Sequence, residues 1–145
     1  MQTIAFTGAS GFVGKNLCQF FKTLGYRILK ISRIDLMNQK VLENKINQSD
    51  IIINLAGANL VARWDEEYKK ELYDSRIDTT KHIVEAINEQ ITKPKLFIST
   101  SAVGIYDNKK TYDESNAQFS DNFLSTLCQD WEEEAKKAVC RVVIF

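Results

Sequence analysis

Histidine and proline are nearly missing from this chain of 145 residues, where His82 and Pro94 are the sole examples. With a single imidazole and three scattered cysteines, a metal centre lacks its usual ligands, and His82 reads as a surface residue of a helix. Cys18, Cys128 and Cys140 form no C-x-x-C pair and are odd in number. They read as reduced, structural thiols in a cytoplasmic setting. Net charge is lacking too: 19 acidic and 19 basic residues cancel. That balance argues against a general binder of nucleic acid or membrane surfaces. No apolar run approaches the roughly 20 residues of a membrane span. Nor does a basic segment precede an apolar one at the amino end, as a secretory leader requires. The hydrophobic fraction of 44% is ordinary and suffices for the core of one domain.

Apolar, β-branched runs alternate with helical patterns along the chain. Strands are expected near 2–7, 26–32, 50–55, 95–101 and 141–145, and helices near 11–24, 38–47, 65–90 and 123–138. This is the pattern of an α/β doubly wound parallel sheet with helices on both faces, a single three-layer domain. A short strand at 34–36 would complete a minimal third unit. The last run, Arg141 to Phe145, reads as a core strand with nothing after it. Ligands of such sheets bind beyond the carboxyl ends of the strands. The expectation is therefore a longer enzyme cut short, whose exposed apolar surface would favour a homo-oligomer.

The stretch Thr7-Gly8-Ala9-Ser10-Gly11-Phe12-Val13-Gly14 joins the first strand to the first helix. Val13, Leu17, Phe20, Phe21 and Leu24 recur at helical spacing, and Gly25 ends the run as a C-cap would. Gly8, Gly11 and Gly14 leave no Cβ at the turn, so backbone can approach a pyrophosphate at the positive end of a helix. The spacing is G-x-x-G-x-x-G rather than G-x-G-x-x-G, and its strand–turn–helix context points to a dinucleotide. The second strand ends in Ser32-Arg33, where the adenosine ribose should lie. An arginine suits the 2′-phosphate of NADP, with Ser32 as an added hydroxyl donor, while Asp35 keeps NAD open as the alternative.

Three further sites carry candidates. Leu55, Ala56 and Gly57 end the third run, where small side chains let adenine and ribose pack closely, or simply fill core. In the long helix, Arg76 falls on the apolar stripe of Tyr68, Leu72, Thr79, Ile83 and Ile87, and a buried arginine needs a partner. Glu71 lies on a flank of that face, so the two either satisfy each other or meet a cofactor. Ser101 stands at the carboxyl end of the strand Leu96 to Ser101 and is the candidate catalytic hydroxyl.

Together these residues resemble the extended short-chain dehydrogenase/reductase superfamily, the sugar-nucleotide epimerases and related reductases. The resemblance rests on Thr7 to Gly14, Ser32-Arg33, Asn54 to Asn59, Arg63-Trp64, Asp74 to Arg76, Ser101 to Tyr106 and Asp130 to Glu132. It implies a Rossmann-type fold with Gly8, Gly11, Phe12, Val13, Ser32, Arg33, Leu55, Ala56, Glu71 and Arg76 around NADP. It also exposes a departure. The superfamily's Tyr-x-x-x-Lys pair should fall about two dozen residues after Ser101, where Thr126 to Cys128, Trp131 and Glu132 stand instead, and Tyr112 is followed by Asn116. The superfamily's C-terminal substrate region has no counterpart before Phe145. The expected protein is the NADP-binding domain of an epimerase or reductase acting on a nucleotide sugar or similar small molecule, inactive in this form. The alternative is a non-catalytic NADP-binding or sensing module.

Overall fold

A computed structural model describes residues 1–113 and 115–145. The elements run β1 (Thr3–Thr7), α1 (Phe12–Thr23), β2 (Arg27–Ile31), α2 (Arg33–Leu36), α3 (Gln39–Asn47), β3 (Ile51–Asn54), α4 (Glu66–Glu89), β4 (Leu96–Ser99), α5 (Phe123–Lys136) and β5 (Val142–Ile144). All the strands pair in parallel, in the order β2-β1-β3-β4-β5. The chain leaves β1 in one direction and returns past it to β3. Chain direction across the sheet therefore reverses between β1 and β3, and a crevice opens at their carboxyl ends.

Every residue of β1 is buried, as befits a central strand covered on both faces. On one face Ala5, Ile52 and Phe97 pack against Leu42 and Ile46 of α3, Ile83 and Ile87 of α4, and Ala135 of α5. On the other, Ile4, Phe6 and Ile53 pack against Cys18, Leu17 and Phe21 of α1. The chain thus forms the expected α/β three-layer arrangement.

One local expectation needs correction. The segment 34–36 is no strand: Arg33–Leu36 is a short helical turn. Ser32 caps it and accepts from the backbone N–H of Asp35, while the Asp35 side chain accepts from the backbone N–H of Ser32. This reciprocal box satisfies two donors at once and overrides the alternation of Ile34 and Leu36. In α1, Gly14 and Cys18 are the buried residues, whereas Val13 and Phe20 are 53% and 55% exposed. The helix turns its smallest residues to the sheet because they allow close approach. Its end matches expectation: Gly25 has φ +83°, its N–H bonds to Lys22 O at 3.0 Å, and that of Tyr26 bonds to Phe21 O at 3.1 Å.

A buried polar thread joins the strand ends to the helices. Thr7 Oγ1 donates to Asn54 Oδ1 at 2.6 Å, Asn54 Nδ2 donates to Thr80 Oγ1 at 2.9 Å, and Trp131 Nε1 donates to the same hydroxyl at 2.9 Å. Thr80 rather than Thr79 is therefore the buried threonine of α4. Beside this thread, the Ser99 hydroxyl is buried with no hydrogen-bond partner among the described residues.

Candidate functional site

The turn after β1 is shaped by three glycines that do different things. Gly8 has φ +64°, a conformation that costs any residue with a Cβ, and a methyl there would lie 2.6 Å from Leu55 O. Gly14 packs the first turn of α1 onto the same loop, where a Cβ would come 2.2 Å from Gly8 O. Gly11 is open: an added Cβ would meet only Gly8 O, at 3.3 Å. Gly11 is also the N-cap of α1, and no side chain caps the first-turn N–H groups. The result is an uncapped helix start above an unobstructed patch of backbone, suited to an anionic group.

A cavity of about 480 Å³ lies over this turn, and its walls include Gly8, Gly11, Ser32, Arg33, Leu55 and Ala56. A second cavity of about 600 Å³ continues from Arg33, Ala56 and Gly57 along α4, with Glu71, Asp78 and His82 on its far wall. Of the residues singled out in the sequence, Gly8, Gly11, Ser32, Arg33, Leu55, Ala56 and Gly57 share the first cavity, and Glu71 lines the second. Phe12 and Val13 do not face either space, Phe12 being 88% exposed on the outside of α1. Gly14 supports the turn from below. Lys30 and Leu36 line the first cavity and were not signalled by any motif.

Asp35 does not reach into that cavity. One carboxylate oxygen, Oδ2, accepts from Ser32 N at 2.6 Å, from Ser32 Oγ at 2.6 Å and from Lys45 Nζ at 2.7 Å. Partial burial opposes ionisation of Asp35, but the hydrogen bonds from Lys45 and Ser32 outweigh it and hold the carboxyl at about 2. The Ser32 hydroxyl proton is committed to Asp35, so Ser32 meets a ligand as an acceptor unless it rotates. The Ser32-x-x-Asp35 spacing held the signal for this box. Lys45, on α3, had none.

Arg76 and Glu71 do not pair. Arg76 is 9% exposed, and its guanidinium donates to Ala58 O at 3.1 Å and to Leu72 O at 3.2 Å while lying 5.4 Å over the Trp131 ring. Burial lowers its pKa. Carbonyl oxygens and an aromatic face take the place of an anion. Arg76 stands directly behind Gly57, where a Cβ would fall 2.8 Å from its Cζ, and it lines neither cavity. It braces the loop after β3 from beneath.

Ser101 also lies outside both cavities. Its hydroxyl donates to Glu132 Oε1 at 2.6 Å. Glu132 follows Cys128 by four residues, the spacing of the absent tyrosine and lysine. Cys128 is buried, and burial, followed by the charge of Glu132, pushes its thiol pKa up. Tyr112 instead hydrogen-bonds Asp107, and desolvation together with that carboxylate raises it to about 12. No group of three or more His, Cys, Asp and Glu able to hold a metal occurs among the described residues. No helix there is long and apolar enough to cross a membrane.

Comparison with known proteins shows the family and the fold. Residues 4–126 match the NAD dependent epimerase/dehydratase family. The chain is 32% identical to epimerase family protein YfhF of Bacillus subtilis, over 92% of this chain and 49% of that protein. It is 31% identical to epimerase family protein SDR39U1 of Mus musculus, over 89% of this chain and 47% of that one. Among solved structures, human SDR39U1 with NADPH superposes with a TM-score of 0.80 at 25% identity, covering 99% of this chain and 52% of that chain. UDP-glucuronic acid 4-epimerase of Bacillus cereus, in complex with UDP-glucuronic acid and NAD, gives 0.79 at 21% identity, over 99% and 55%, and shares the fold. The chain spans about half the length of the curated relatives it matches.

Proposed function

The chain belongs to the NAD dependent epimerase/dehydratase family, and on that premise we propose that residues 1–145 form a dinucleotide-binding domain selective for NADP. The observation that carries the reading is the glycine turn: a backbone cradle that a Cβ would fill at Gly8 and Gly14, open at Gly11, with Arg33 on the wall of the same cavity. Gly8, Gly11 and the start of α1 hold the pyrophosphate. Arg33 takes the 2′-phosphate, and Leu55, Ala56 and Gly57 form the small-residue wall beside adenosine. The engagement of Asp35 Oδ2 by Ser32 and Lys45 supports NADP over NAD, since among the described residues no carboxylate lines the cavity over the glycine turn to accept from a ribose 2′-hydroxyl. Glu71 belongs to the outer wall and Arg76 acts through the loop it braces.

When bound, the nicotinamide ring would supply a hydride donor or acceptor, and the proposed partner in that exchange is a nucleotide sugar or similar small molecule. Ser101, at the carboxyl end of the β4 run, is the candidate hydroxyl for that exchange. One observation favours the second reading, a non-catalytic NADP-binding module. The Ser101 hydroxyl is spent on Glu132, and Cys128 and Glu132 stand where the superfamily's Tyr-x-x-x-Lys pair would hold and deliver a proton, the Tyr106–Lys110 pair coming only five residues after Ser101.

Titration of the purified chain with NADPH and NADH, followed by energy transfer from tryptophan to the nicotinamide, tests the binding reading. NADPH is expected to bind more tightly, by roughly tenfold or more for one charge-assisted contact from Arg33. Arg33→Asp should reverse that preference; unchanged selectivity would remove the ribose-phosphate assignment. Incubation with NADP and nucleotide sugars separates the two readings, because turnover would exclude the non-catalytic one.

A further inference from the structure

Asp35 is the acidic residue next to Arg33 at the end of β2, and an unpaired carboxylate there would oppose everything Arg33 does. It would compete with a phosphate for the guanidinium, repel the phosphate, and offer acceptors to a diol. The structure prevents this by holding Asp35 back. Lys45 reaches over from α3, ten residues along the chain, to meet Asp35 Oδ2 at 2.7 Å, and the same ammonium donates to Lys30 O at 2.7 Å. The Lys45 and Asp35 side chains are 27% and 15% exposed, so solvent screens the pair less than a surface bridge. Neither residue lines either cavity.

We propose that Lys45 is a specificity-determining positioning residue: by pinning and neutralising Asp35 behind Ser32, it keeps Arg33 free for a 2′-phosphate and so makes the site select NADP over NAD. The inference rests on the reading of this cavity as the adenosine end of a pyridine-nucleotide site. Lys45 acts through Asp35 rather than on the ligand, because it lines neither cavity and two of its three donors are spent on Asp35 and the Lys30 carbonyl. With Lys45 gone, Asp35 keeps its charge uncompensated beside Arg33 and is held only by the two Ser32 bonds, so it can act as the acidic residue that an NAD site uses.

The test is a set of NADPH and NADH titrations on the intact chain and its variants, read as the ratio of the two affinities. Lys45→Met should lower the NADPH preference roughly tenfold, the effect of one uncompensated charge in a partly shielded site. Lys45→Arg should retain it. Asp35→Asn alone should raise the preference by about threefold, and adding it to Lys45→Met should restore the ratio to within about twofold of the parent. An unchanged ratio in Lys45→Met overturns the proposal. So does a double variant that stays as low as Lys45→Met, because Lys45 would then be touching the ligand itself. Should Lys45→Met fail to fold by circular dichroism, Asp35→Asn decides alone, and a flat or lowered ratio there overturns the idea. Arg33→Asp separates the two levels. If it too leaves the ratio unmoved, or the parent chain binds neither nucleotide, the underlying cavity assignment is wrong; if it moves the ratio and the Lys45 variants do not, only the role of Lys45 is.

Discussion

Gly11 and Gly14 sit one helical turn apart, and replacing each by alanine should separate binding from folding. At Gly14 the new methyl would lie 2.2 Å from Gly8 O, more than an ångström inside ordinary contact, and 2.8 Å from Ala9 Cα. Both are backbone atoms, so α1 or the turn must move. Overpacking of this kind costs about 3 kcal/mol, of which the better helix propensity of alanine returns about 1. The net loss of about 2 kcal/mol corresponds to a fall in Tm of roughly 6 °C for a domain this size. At Gly11 the methyl would meet only Gly8 O, at 3.3 Å, and the main cost is a poorer N-cap, about 1 kcal/mol. That methyl would project where a diphosphate approaches, so NADPH affinity should drop at least tenfold, on the order of 1.4 kcal/mol or more. Thermal unfolding and nucleotide titration on both variants read the contrast. Gly14→Ala melting with the parent, or Gly11→Ala binding NADPH as the parent does, would refute the division of labour between them.

Other substitutions probe the frame of the site. Asn54→Ala removes the middle of the buried thread, takes the acceptor from the Thr7 hydroxyl proton and leaves Thr80 bonded to Trp131 alone, for a loss of about 2 kcal/mol in urea unfolding. Ser99→Ala, by contrast, relieves a buried hydroxyl without a partner and should be neutral or stabilise by up to about 1 kcal/mol. Arg76→Lys should cost about 2 kcal/mol, because an ammonium cannot reach the Ala58 and Leu72 carbonyls together and cover Trp131. For acid, the direction follows from Asp35: its carboxyl is held at about 2 against an ordinary 3.8. A depressed value contributes stability that is complete above the unfolded pKa and is lost as pH falls through the folded one. Unfolding followed from pH 5 downward should therefore lose about 1–2 kcal/mol between roughly pH 4 and 2, and Lys45→Met should flatten that loss.

The sequence made the glycine turn, the parallel strands and Arg33 legible because each depends on local chemistry: a run of β-branched residues, missing side chains, a charge at a strand end. Misreadings arose where partners are distant or small. Ile34 and Leu36 alternate like a strand, yet the reciprocal bonds of Ser32 and Asp35 fold the segment into a turn. In α1 the recurrence of apolar residues marks a helix but not its rotation: Val13 and Phe20 lie outward, while Gly14 and Cys18 let the helix close on the sheet. Arg76 pointed to an anionic partner, and what it found were carbonyl oxygens of Ala58 and Leu72, which no sequence pattern marks. Lys45 was invisible for the same reason: its effect depends on α3 folding back beside β2.

The polar stitch from Thr7 through Asn54 to Thr80 and Trp131 has a consequence for the crevice above it. Thr7 pairs with Asn54 across β1 and β3, and the residues that rim the opening, Gly8 and Leu55, each come one position later. Sliding β3 by a single residue would bring Leu55 opposite Thr7 and leave an amide stranded in hydrocarbon, a penalty far above that of a misplaced aliphatic. The two lips of the mouth are thus held at a fixed gauge by a seam woven underneath, and whatever enters finds the gap already cut to size.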